Sequence, residues 1–196
     1  MNSPLGAAAL DQLFRAARSR NGWTDRPLDP ALLRQCHEVA RCGPTAANTN
    51  PARFVFVRSP AAKERLGPHL SAGNVEKTMS APCCVIMAYD TQFYDLLPKL
   101  FPSRDMRSVF AGNDSLIAET AERNGSLQAA YFMIAARALG LDIGPMSGFN
   151  RQSLDADFFP DGRWRSNFLC NLGYGSDVNL FPRNPRLAFE EACLDL

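Results

Sequence analysis

The stretch from Asn124 to Asn150, NGSLQAAYFMIAARALGLDIGPMSGFN, decides the fold. No side chain from Gln128 to Ala136 is charged, and the apolar residues cover two faces. Leu127, Ala130, Tyr131, Ile134 and Ala138 mark one; Ala129, Phe132, Met133 and Ala136 mark the other. A helix that is apolar all round has to be covered all round. Gly140 stands where a left-handed residue commonly closes a helix. Leu141-Asp142-Ile143 is long enough for a short strand, which leaves through the turn Gly144-Pro145-Met146-Ser147-Gly148. Small residues there let a flat ligand approach backbone N–H groups closely. An ordinary strand-to-helix turn has the same composition, so this stretch alone leaves both readings open.

Working outward, Gly6 to Ser19 has helix-forming composition and runs into Arg18-Ser19-Arg20-Asn21-Gly22-Trp23. Those basic residues either complement a helix dipole or form a local phosphate clamp. Asp29 is a natural N-cap with Pro30 at the first helical position. The helix it opens ends before Gly43-Pro44-Thr45-Ala46-Ala47-Asn48-Thr49-Asn50-Pro51, a polar loop of small residues ahead of a strand over Arg53 to Arg58. Such a loop is either a connection or a place where hydroxyl and amide groups meet a ligand.

Short helices are expected over Pro60 to Leu70 and Asn74 to Met79, the second placing Asn74 and Lys77 on one face. Pro82 to Tyr89 and Asn167 to Gly175 read as buried strands. Phe93 to Gly112 sets aromatics among prolines and charges, as a lid over a pocket or an interface loop would. A short helix closes over Asp155 to Phe159, and the segment from Phe181 to Leu187 carries Arg183 and Arg186, each next to a proline, and is too extended for a core element.

The 196 residues are expected to form a single domain over 1–196. A net charge of +1 gives no reason to expect a nucleic acid, and no uncharged run is long enough to span a bilayer. Six cysteines without C-x-x-C spacing point to a reducing, cytoplasmic setting, and two histidines without paired ligand spacing give no metal site. No G-x-G-x-x-G follows a strand, which argues against a dinucleotide-binding βαβ unit. Helices first, with strands scattered among them, indicate an α+β fold.

Six motifs, ARSRNGW (17–23), GPTAANTNPARFVFV (43–57), GNVEKTMSAP (73–82), ALGLDIGPMSGF (138–149), NLGYG (171–175) and PRLAFEEA (185–192), together carry a resemblance. In this order and spacing the chain resembles the nitroreductase family of FMN-dependent oxidoreductases, and within it the branch that reduces malonic semialdehyde. The resemblance implies a central mixed sheet flanked by helices and a homodimer with the long buried helix at its interface. It also implies FMN in two pockets between the subunits and NAD(P)H as co-substrate. By the same resemblance the flavin phosphate falls to Arg18, Ser19 and Arg20, next to Asn21, with Arg183 or Arg186 from the partner's tail. The ring would lie against Pro44, Thr45, Ala46 and Asn48, with Asn74 and Lys77 at its N1–O2 edge and Pro145, Met146, Ser147 and Gly148 near N5 and O4.

Asn21 stands where the family often has a basic residue, and Ala52 where many members have Trp. The implied reaction is ping-pong hydride transfer through flavin N5 with no catalytic side chain required. The expected small-molecule acceptor is 3-oxopropanoate, its carboxylate met by a basic residue such as Arg104 or Arg107. A broad nitro or quinone reductase and a non-catalytic flavin-binding module are the alternatives.

Overall fold

A computed structural model describes residues 3–196. The first helix, α1 (Ala7–Leu10), continues into a wide π turn, Asp11–Arg15, and a two-residue strand β1 (Gly22–Trp23) follows. The expected helix to Ser19 therefore stops four residues early, leaving Ala16 to Asn21 as irregular chain. Helix α2 (Pro30–Ala40) starts as its sequence dictates: the Asp29 carboxylate accepts the Ala31 N–H and Pro30 occupies the first turn. Then come β2 (Ala52–Val57), α3 (Pro60–Leu66), α4 (Ala72–Met79), β3 (Cys83–Asp90), α5 (Leu97–Leu100) and α6 (Arg107–Phe110).

Helix α7 (Asp114–Ala138) is 25 residues long, capped by the Asn113 side chain on the Leu116 N–H and closed by Gly140 at φ 80°. Its first turns, DSLIAETAER, carry mixed charge, so the apolar pattern of the second half gave no sign of them. The chain ends with β4 (Asp142–Met146), α8 (Arg151–Phe158), β5 (Trp164–Gly173), β6 (Gly175–Ser176) and a single helical turn, α9 (Phe189–Ala192).

Four strands form the central sheet in the order β2-β3-β5-β4, and β1 pairs with β6 beside it. The strand ladders of the expected mixed sheet are antiparallel throughout; its parallel contact is the single bridge from Ser19 to Ile143. Gly144 and Pro145, expected in a turn, lie inside β4. Proline is tolerated there because β4 is an edge strand.

The alternation of β3 divides the core. Cys83, Val85 and Met87 face α2 and α7 with Phe132, Ala136 and Leu172, while Cys84, Ile86 and Ala88 face α3 and α8 with Leu66, Leu154 and Leu169. Fully burying each large apolar side chain contributes about 1.5–3 kcal/mol. Part of the segment read as a lid or an interface loop is core: Phe93, Leu97 and Phe110 make a third cluster with Ile117 and Ala121 at the start of α7. Those aromatics cover the helix's amphipathic first half, which explains their density. Among the described residues, no helix is long and apolar enough to cross a membrane.

Candidate functional site

Residues 16–21 run along the free edge of β4, where the Arg20 N–H donates to the Ile143 carbonyl at 2.9 Å. After β6 the chain turns back past the same segment. Arg183 Nη2 donates to the carbonyls of Arg15 at 2.9 Å and Ala17 at 2.5 Å, and Arg18 donates to that of Phe181. Between them is a cleft of about 240 Å³ lined by Arg18, Ser19, Asn21, Arg137, Arg183 and Arg186.

None of these four arginines pairs with a carboxylate among the described residues; the hydrogen bonds they make go to backbone carbonyls. Burial pulls the Arg137 pKa down, Cys170 and Asp142 oppose that, and neighbouring Arg183 adds to it. Concentrated positive charge without compensation is a site for an anion. In this chain the tail arginines line a cleft beside its own N-terminal segment, because the β1–β6 pairing carries the tail directly past residues 16–21.

Two further placements depart from expectation. Arg20 is mostly buried and committed to Asp177 at 2.6 Å, Asp142 at 3.3 Å and the Ser176 carbonyl. Its pKa is raised because those carboxylates outweigh the burial that pulls it down. It braces the clamp and does not line the cleft. Arg137 was missed by sequence reasoning; its signal was the single charge ending an apolar helical run, which reads equally as a dipole partner.

A second cleft of about 250 Å³ adjoins the first through Asn21 and Phe181, and Lys77 lines it. The Lys77 ammonium lies 3.5 Å from the Asn21 side-chain oxygen and has no carboxylate partner among the described residues; burial pulls its pKa down. The Lys77 carbonyl is fixed by Trp23 Nε1 at 3.0 Å and Asn171 Nδ2 at 3.1 Å. Asn74 Nδ2 donates to the Gly148 carbonyl at 2.7 Å, and a Cβ on Gly148 would come within 2.5 Å of that nitrogen. Thr78 donates to the Met146 sulfur at 3.6 Å. Asn74, Lys77, Met146, Ser147 and Gly148 are therefore gathered at the α4 end of β4, while Pro145 is exposed on its edge.

Pro44, Thr45, Ala46 and Asn48 are elsewhere. They precede β2, the opposite edge of the sheet, three inter-strand spacings or roughly 14 Å from β4. Within one chain the two groups of expected ligand residues do not share a cleft. Arg107 is paired with Asp95, and neither it nor Arg104 lines either cleft.

The fold and the cleft define an α+β protein with an arginine-lined cleft between its N-terminal segment and its tail, next to a second cleft lined by Lys77. The Nitroreductase family model matches residues 14–174, and the chain belongs to that family. It is 61% identical over 193 residues to a Rhodopseudomonas palustris protein named as a candidate NADH dehydrogenase/NAD(P)H nitroreductase, covering 98% of both chains. A Ralstonia nicotianae protein of the same description is 58% identical over 189 residues, covering 96% of this chain and 97% of the other. Among solved structures, a candidate nitroreductase from Exiguobacterium sibiricum, in complex with FMN, superposes with a TM-score of 0.85 over 100% of both chains at 18% identity.

Proposed function

We propose that the protein is an FMN-dependent NAD(P)H oxidoreductase of broad acceptor range, working as a homodimer in the cytoplasm. One observation carries the reading: arginines without carboxylate partners line a cleft that adjoins, through Asn21 and Phe181, a second cleft lined by Lys77. That arrangement fits a flavin mononucleotide. Arg18, Ser19, Arg183 and Arg186, with Arg137 behind them, would hold its phosphate. Asn74, Lys77 and the Met146–Gly148 backbone would meet the ring. Arg20 keeps the clamp in register through Asp142 and Asp177.

FMN, when bound, supplies hydride transfer through its N5, accepting from NAD(P)H and donating to a second substrate. Lys77 places a positive charge where a reduced ring carries negative charge. Burial lowers the Lys77 pKa, and an anion held beside it would oppose that shift. The names of the relatives support the nicotinamide, and six unpaired cysteines support a reducing compartment.

The residues of the 44–48 loop reach a ring held at Lys77 only from a second copy. Val39 on α2 and Leu127 and Tyr131 on α7 are exposed and supply an apolar surface for that copy. Sedimentation at micromolar concentration is expected to give a species of twice 21.6 kDa; a stable folded monomer would contradict the shared site.

The test of function is anaerobic stopped flow. The purified protein is expected to be yellow, to release FMN and not FAD on denaturation, to be reduced by NADH or NADPH, and to be reoxidised by a nitroaromatic or quinone. Flavin bound without turnover would make it a binding module, and protein that cannot be reconstituted with FMN would end the reading. The narrower activity, reduction of 3-oxopropanoate to 3-hydroxypropanoate, requires that aldehyde to outrun both quinone and neutral propanal. The pairing of Arg107 with Asp95 favours the broader range.

A further inference from the structure

Helix α7 carries three buried polar side chains one turn apart, Thr120, Asn124 and Gln128, with 6%, 2% and 7% of their surfaces exposed. A polar stripe inside an apolar helix persists only where its hydrogen bonds are met. Here they reach across to the loop before β2. Asn124 Oδ1 accepts the Ala46 N–H at 2.8 Å, and Asn124 Nδ2 donates to the Thr120 carbonyl at 2.8 Å. Gln128 Oε1 accepts the Ala52 N–H at 2.9 Å, and Gln128 Nε2 donates to Asn50 Oδ1 at 3.0 Å.

The two amides therefore grip the loop at its entry and exit. What lies between is strained: Ala47, Asn48 and Asn50 have φ of 47°, 52° and 43°. Left-handed backbone is rare outside glycine, and alanine has no side-chain hydrogen bond to offset it. Three such residues within four positions do not hold that shape unaided. The surroundings impose it, and the effect is to fix the Thr45–Asn50 backbone before any ligand arrives.

We propose that Asn124 and Gln128 are positioning residues for the flavin ring, holding the 44–52 loop of one copy in the strained form that meets the ring bound by the other. The inference rests on the shared flavin site proposed above. Preorganisation of this kind strengthens binding by removing the ordering cost from the binding step. It acts on the ring and not on the phosphate.

The test compares FMN with riboflavin, which has the ring without the phosphate. Gln128→Met, which keeps the volume and removes both hydrogen bonds, is expected to weaken both flavins by the same factor, about tenfold. It is also expected to change the visible circular dichroism of the bound flavin. Gln128→Glu keeps the acceptor for Ala52 and should recover most of the loss. A tie that serves stability alone would lower the melting temperature and leave flavin affinity and visible dichroism unchanged, and that result overturns the proposal. Hydrogen exchange on the wild-type chain gives a reading that needs no variant: the Ala46 and Ala52 amides should already be protected in the flavin-free protein, and riboflavin should slow them by no more than about threefold. Amides that become protected only when riboflavin binds overturn the proposal as well. Wild-type protein that binds neither flavin would instead refute the flavin reading itself.

Discussion

Replacing Arg183 and Arg186 together with alanine is expected to weaken FMN binding by roughly a hundredfold to ten-thousandfold. Each removes a guanidinium from a cleft whose arginines have no carboxylate partner among the described residues. A charge-assisted hydrogen bond of this kind contributes about 1.5–3 kcal/mol, and the two act on one phosphate. Riboflavin lacks the phosphate, so its affinity should change by no more than about threefold, well under the tenfold that 1.4 kcal/mol represents. Fluorescence titration of the two flavins reads both numbers. An equal loss for both would mean that the tail supports the fold, not the phosphate, and no loss for either would remove the tail from the site.

The second large effect is expected at Gly144. A Cβ there would come within 2.5 Å of the Arg20 carbonyl oxygen, a backbone atom, and 3.3 Å of the Trp23 ring. That backbone cannot retreat without loosening the Arg20 N–H bond to Ile143 and the Arg20 contacts to Asp142 and Asp177. Overpacking of this kind costs about 1–3 kcal/mol, and Gly144→Ala should lower the urea midpoint accordingly. Because the displaced segment carries Arg18 and Ser19, FMN affinity should fall in the same variant. An unchanged midpoint together with unchanged affinity would show that the edge of β4 has more freedom than its contacts imply.

Much of this architecture was legible before any coordinates. Asp29-Pro30 opened a helix where it should, the apolar run Pro82–Tyr89 became the buried strand β3, and Gly140 closed α7 with a positive φ. The site was legible as motifs but not as partners. Nothing local distinguishes Arg18, which lines the cleft, from Arg20, which is bound to two carboxylates far along the chain. That distinction depends on Asp142 and Asp177 arriving through the β4 edge and the β1–β6 pairing. The stripe of Thr120, Asn124 and Gln128 was hidden for a related reason: amides in a helix look like surface residues until the loop that occupies them is known. Prolines and charges broke the periodicity of Phe93 to Gly112, which hid that Phe93 and Phe110 pack against the first turns of α7.

The tail contact has a consequence for biosynthesis. Arg18 and Phe181 are 163 positions apart, and Arg15 and Arg183 are 168 apart. Closing so long a loop is entropically late, and during translation it is impossible until Arg186 has left the ribosome. A nascent chain can complete its sheet and the packing of α7 with no anion site at all. Cofactor supply therefore has no hold on the early steps of maturation: stabilisation by mass action reaches only a chain whose tail has already emerged. Starving a cell of riboflavin should leave full-length apoprotein exposed to proteolysis, and should not stall its synthesis.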